Sequence, residues 1–361
     1  MLNVTQLLTD QVANRIDSAF NAMFGDADRE HKQIAKDAAA AALGHIATSD
    51  ALYHNVEHTV HVTIVGLEIL RAKQARELSV TSGDWLNTVV AMLCHDIGYV
   101  RGICEADDGE RLANGIGTQS TRIAVERSDA ALMPIHVDRG KQYVEEHFSS
   151  YALIDTFAVQ ACIERTRFPV PLDPWYQQNG DYPGLVRGAD LIGQLSDPRY
   201  LNKLSAIFYE FEEVGFNEGM GYRMPGDLLE AYPVFFEKSV GPYITDSIGF
   251  LETTVEGRVI IENLYQNLNC ARQPELLAVA GNGSVDVRLP FSFDHIRLSA
   301  RGCNPCRHDI RFAARHTCLA RYGRRRWGIR PSRPARGPRR SGARRQRKHR
   351  LHRGREVCRR D

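Results

Sequence analysis

Long hydrophobic runs are missing from this 361-residue sequence. None reaches the roughly 18–20 residues that a membrane span needs, so no transmembrane helix is predicted. The opening residues, MLNVTQLLTDQVANRIDSAF, lack both a basic leader and an unbroken apolar core, and do not read as a signal peptide. Cysteine is sparse and unpatterned over the first 300 residues. Cys94, Cys104, Cys162 and Cys270 have no framework spacing, which predicts reduced thiols in a cytoplasmic protein. Alternating strand patterns and Asn-Gly turns between apolar runs are also absent up to about residue 275, which excludes an all-β reading. There is no internal repeat. Lysine is nearly absent from residues 301–361, which hold 21 Arg and a single Lys.

That last scarcity marks a change of text. The net charge of +2 conceals 22 Lys and Arg against 3 Asp and Glu in 301–361, leaving 24 basic and 41 acidic residues in 1–300. An acidic body and a strongly basic tail need separate interpretations. The segment 281–361 is expected to be disordered and of low complexity, because it offers little to bury. Its one-sided arginine bias, with scattered Cys, Pro and Gly, looks like a GC-rich coding sequence read in a shifted frame, lost near 275–300. If the tail is genuine, its arginines would neutralise phosphates and bind nucleic acid. Cys303 and Cys306 form a Cys-x-x-Cys, but His308, His316 and Cys318 do not complete a zinc-knuckle spacing.

What the body does contain is helical periodicity. Apolar residues repeat at helical spacing over 4–23 (Val4, Leu7, Leu8, Val12, Ile16, Phe20), and 31–47 is rich in alanine. Further helical patterns cover 56–72, 84–98, 120–128, 139–148, 152–166, 184–196, 199–214 and 243–268, with Asp84 as the cap of the fourth. The irregular pieces are 101–118, Gly-rich and acidic, and 168–183, which holds four of the 15 prolines and cannot be one helix. The expectation is one all-α domain over residues 1–275.

Several polar residues conflict with that apolar pattern. LYHNVEHTVHV (52–62) carries His54, His58 and His61; four helical residues are close to a full turn, so His54 and His58 are expected on one face about 6 Å apart. VVAMLCHDIGY ends an apolar helix in His95-Asp96. Asp190 sits between Ala189 and Leu191 in LVRGADLIGQLSD. A buried carboxylate without a partner is costly; Arg187 is the ordinary partner for Asp190, and a metal ion is the alternative.

Taken in order, His58, His95-Asp96 and Asp190 resemble the H…HD…D signature of the HD superfamily of metal-dependent phosphohydrolases. YHNVEH matches the Y-H-N-x-x-H motif of the cyclic-nucleotide phosphodiesterases within it, and ADL resembles their distal metal-binding segment. The likeness covers residues 50–215. It implies an HD-type helical bundle and a phosphoester hydrolase acting on a nucleotide or cyclic nucleotide. It also implies His58, His95, Asp96 and Asp190 as metal ligands, Asp96 as a bridge to a second cation, and His54 as general acid. The mixed N/O donor set suits Mn, Fe, Co, Ni or Zn, with Mg favouring the more oxygen-rich position.

The sequence departs from the phosphodiesterases where Tyr99 replaces a histidine three residues after the dyad Asp. The purine-gripping Gln has only Gln266 as a candidate. Asn55, Tyr99, Arg167 and Gln266 are the expected substrate contacts, with Arg165 beside Arg167. His61 reads as support for the site, and His136 as a helix-start residue. Trp175 and Tyr176 read as anchors of the Pro-rich loop. A second reading is a non-catalytic metal and nucleotide sensor whose output passes through the tail.

Overall fold

The first helix, α1 (Val4–Phe24), forms because Asn3 caps it and Val12, Ile16 and Phe20 bury one stripe. That stripe packs on α2 (Arg29–Ile46), whose alanines allow close approach, and on α3 (Val56–Glu77). This computed structural model describes residues 3–273. They are built almost entirely from helices around one buried core, and the protein is all-α in these residues. The expected disorder and frame loss of the tail lie outside the described residues, as do its cysteines.

The helix α4 (Ser82–Cys94) is capped by Thr81, whose hydroxyl accepts from the Asp84 N–H while Asp84 bonds back. Asp84 is therefore the third residue of the helix and half of the capping box, rather than the expected cap. Every residue from Val89 to Cys94 is buried, and the chain then turns through a short 3-10 helix at Ile97–Tyr99. After α5 (His136–Phe148) and α6 (Thr156–Arg165) comes α7 (Tyr182–Leu195), which packs along α3. Gly193 permits that seam: a Cβ there would lie 2.8 Å from the Val62 Cα. The remaining elements are α8 (Leu204–Glu213), α9 (Phe216–Met220), α10 (Pro225–Phe235), α11 (Gly241–Leu251) and α12 (Val255–Arg272).

Three expectations are corrected. Residues 120–128 are not helical: β2 (Ser120–Arg122) pairs antiparallel with β1 (Arg111–Ala113). The apolar spacing of two between Ile123 and Val125, next to the β-branched Thr121, suits an extended chain better than a helix. The single helix over 243–268 is two: α11 ends at Leu251, and Thr254 caps α12 through the Gly257 N–H. Segment 216–235, left without an element in the sequence reading, holds α9 and α10.

The hairpin is tied to the bundle by Arg139, which is fully buried. Its guanidinium donates to the carbonyls of Gly98, Val100 and Ala113 and to both carboxylate oxygens of Asp107. The Pro-rich segment is anchored as expected of Tyr176, whose hydroxyl donates to Glu164 at 2.6 Å. Trp175 lies against the buried Arg165 guanidinium at 3.9 Å.

Candidate metal centre

Three separate helices meet at one point. His58 comes from the first turn of α3, whose cap Asn55 accepts from the N–H groups of Glu57 and His58. His95 and Asp96 follow the last residue of α4, and Asp190 lies in the middle of α7. The Nε2 atoms of His58 and His95 are 3.2 Å apart. Asp96 Oδ2 is 3.1 Å from the first and 3.0 Å from the second; Asp190 Oδ1 is 3.5 and 3.7 Å from them. Ligands held at about 2.0–2.2 Å from a cation stand roughly 3.0–3.5 Å from their neighbours. The spacing is that of a coordination shell. His58, His95 and Asp190 can hold a metal ion, their donor atoms all lying within 4.8 Å of one another. Arg187 is not the partner of Asp190. It is spent on the Tyr176 and Gln178 carbonyls and the Asn179 side chain.

The chemistry of the donors fits a cation as well as their spacing does. His95 Nδ1 lies 2.8 Å from the Met92 carbonyl, which can only accept. The proton therefore sits on Nδ1, and the Nε2 lone pair faces the centre. Asp96 Oδ2 is buried with no hydrogen-bond partner. Burial disfavours charge on His95, but Asp96 and Asp190 outweigh it and raise its pKa to about 9. Burial would also raise Asp96, but His95 and His54 hold it well below the usual carboxylate range. The two Nε2 atoms, 3.2 Å apart, cannot both point a proton at each other; one divalent cation would take both lone pairs and satisfy both carboxylates.

His54 reaches the centre by a different route from the expected one. The helix begins only at Val56, so His54 precedes it and the four-residue helical spacing does not apply. Glu210 of α8 places it instead. Glu210 Oε2 lies 2.5 Å from His54 Nδ1, and its Oε1 accepts from the Tyr53 and His54 backbone N–H groups. Burial works against charge on His54, but Glu210 and then Asp96 raise its pKa above the ordinary value. Glu210 itself is 1% exposed. The sequence reading missed it, although it falls three residues after Ile207 on the buried stripe of α8, where a carboxylate is out of place.

Tyr99 is buried between two imidazoles, 4.6 Å from the His54 ring centroid and 4.5 Å from that of His136. His136 Nε2 is 3.7 Å from Asp96 Oδ1. The helix-start residue thus also faces the centre. The side chains of His54, His136 and Asp190 are each 17–18% exposed, whereas those of His58, His95 and Asp96 are 7% or less. The first three form the rim.

The other candidates have different surroundings. The Asn55 side chain is used at both ends, capping α3 and donating to the Leu52 carbonyl. Arg167 is engaged by Glu164 and Asp138, and Arg165 by Asp181 and the Gln178 carbonyl. Gln266 is on the exposed side of α12; its neighbour Asn267 turns inward and donates to the Leu195 and Asp197 carbonyls. His61 stands apart from these four side chains, 4.0 Å from both Glu57 and Asp197, whose carboxylates Lys203 also contacts.

Among known sequences, no curated protein and no solved structure matches this chain. The profile of one family does match, over residues 2–273, which takes in α1 to α12 and every residue of the centre. The chain belongs to the Npun_R2479-like family.

Proposed function

We propose that the chain is a metal-dependent phosphohydrolase of the HD type, cleaving a small phosphoester such as a nucleotide or cyclic nucleotide. The observation that carries this reading is the convergence of His58, His95, Asp96 and Asp190, with a separate, carboxylate-bound imidazole beside them. His58, His95, Asp96 and Asp190 would hold a divalent cation of the Mn, Fe, Co, Ni, Zn or Mg group. When bound, it supplies Lewis acidity toward phosphoryl oxygens and makes water acidic near neutral pH.

The chain's own groups do the rest. Water gives up a proton to solvent and adds to phosphorus, the bond from phosphorus to the leaving oxygen breaks, and that oxygen takes a proton from His54, which solvent then reprotonates. Glu210 holds the proton on Nδ1, which leaves Nε2 as the atom that delivers. The stacked Tyr99 ring fixes the plane of the imidazole. A protein that only stored metal would have no use for the His54–Glu210 pair, and this favours an enzyme over a sensor. The free thiols of Cys94, Cys104, Cys162 and Cys270 fit the cytoplasm.

The test is turnover of a panel of phosphomonoesters, nucleotides and cyclic nucleotides by the full-length, metal-loaded protein. Hydrolysis that disappears in Asp190→Asn together with bound metal is expected. Firm metal binding without hydrolysis of any panel member would favour the sensor.

A further inference from the structure

The segment Ala124–Asp129 leads from β2 into a 3-10 turn at Asp129–Leu132 and has no helix or strand of its own before Asp129. Val125, Glu126 and Arg127 are exposed, so it buries little. Three other stretches of chain nevertheless tie it down. Arg101 donates through Nε to Asp129 Oδ1 at 3.0 Å, and through its outer nitrogens to the carbonyls of Ile123, Ala124 and Arg127. The Asp129 N–H donates to Asp50 Oδ1 at 2.7 Å. Arg127 donates to the side chain and the carbonyl of Glu213, and the Ser128 N–H donates to Glu213 Oε1 at 3.4 Å.

Each of these anchors is close in sequence to one member of the His54 assembly. Asp50 stands four residues before His54, Arg101 two after Tyr99, and Glu213 three after Glu210. Glu213 is also the last residue of α8, so holding it fixes that helix along its axis, where one residue is worth about 1.5 Å. The His54–Glu210 contact and the stacking of Tyr99 on His54 both require these three stretches to keep one spacing.

We propose that Ala124–Asp129 is a brace for the general acid, with Arg101, Arg127 and Asp129 as positioning residues that hold His54, Tyr99 and Glu210 in place. The inference rests on reading His54 as the proton donor of a phosphoester hydrolase. Among the described residues, none of the three hydrogen-bonds to His58, His95, Asp96 or Asp190; their partners are one another, Asp50, Glu213 and backbone carbonyls. The brace therefore serves proton delivery and leaves the candidate metal shell alone. That gives it a signature which general loosening of the fold lacks. An alkoxide leaving group needs the proton, whereas one that departs as a stable anion does not.

The test compares two phosphodiesters with full-length, Mn(II)-loaded protein. Cyclic AMP loses a ribose oxygen as an alkoxide; bis(p-nitrophenyl) phosphate loses nitrophenolate, which needs no proton. Arg101→Gln should lower kcat on cyclic AMP by about 10- to 100-fold, the scale of a misplacement of about 1 Å. Its kcat on the aryl ester should change less than about twofold, and its metal content by elemental analysis should not change. Arg127→Ala alters a side chain that is 44% exposed, so it tests the brace even where Arg101→Gln fails to fold. It should show the same bias toward cyclic AMP, and Arg127→Lys, which returns the charge, should recover most of the loss. Equal losses on both esters, or loss of metal, in Arg127→Ala would show that the segment only supports the fold and would overturn the proposal. So would full activity of that variant on both. A wild type that cleaves only the aryl ester delivers no proton, which sinks the brace and keeps the hydrolase. A wild type that cleaves neither removes the hydrolase reading together with the reaction the brace serves.

Discussion

In the proposed reaction His54 and Glu210 divide one task between them. The carboxylate is buried, so it strengthens its hold on the imidazole, and the imidazole is left with one outward nitrogen. His54→Ala should lower kcat by about 10²–10⁴ while bound metal stays constant; an unchanged kcat would end the acid role. Glu210→Gln removes the charge that raises His54. Because a general acid must be protonated, the basic limb of the kcat–pH profile should move to lower pH. An unmoved limb would show that Glu210 only packs. Glu164 offers a cleaner case away from the centre. Burial opposes its charge, but hydrogen bonds from Arg167, Lys141 and Tyr176 depress its pKa to about 2. Its stabilisation is therefore complete above about pH 5 and is lost as pH falls toward 2. Glu164→Gln should flatten stability over that acid range in urea titrations; an unaltered slope would contradict the assignment.

The four candidate ligands were legible because each is a polar residue set into an apolar helical stretch, and the ordering of His58, His95-Asp96 and Asp190 gave them a pattern. The partner of His54 was not, since Glu210 lies 156 residues away and no local rule links them. His54 shows the opposite failure: the spacing suggested a helix, but Asn55 starts the helix one residue later and tertiary contact supplies the placement.

At the level of helices, the centre depends on two close approaches. The α3–α7 seam brings Asp190 to His58 only because Gly193 leaves room for Val62. Gly193→Ala should cost about 1–3 kcal/mol by overpacking and weaken metal binding at the same time. A stable variant with full metal affinity would show that the seam has slack. Arg139 performs the corresponding task for the hairpin and the dyad turn. Arg139→Met would strand the buried Asp107, a loss of about 3–5 kcal/mol by chemical denaturation. A loss within experimental error would mean that the hairpin is held by other contacts. Helix existence was readable from periodicity through most of the body. The short strands, the Thr254 break and the α9–α10 region were not, because three-residue strands and caps carry too little repeating signal.

Taken whole, the family match ends at residue 273, one residue past the last helix of the described residues, α12. The arginine-rich stretch lies beyond both. Sequencing the gene across the codons for residues 275–300 should reveal a disrupted frame, and an intact frame would make the basic tail a real part of the protein. Among the described residues no helix is long and apolar enough to cross a membrane.

The decisive observation is the metal content of purified full-length protein, compared with that of a His95→Ala variant verified as folded. A tightly held divalent cation in the wild type, lost from the variant along with phosphoester hydrolysis, is the predicted result. Equal metal content in the two proteins, or none in either after loading, would mean that these imidazoles and carboxylates meet for some other purpose.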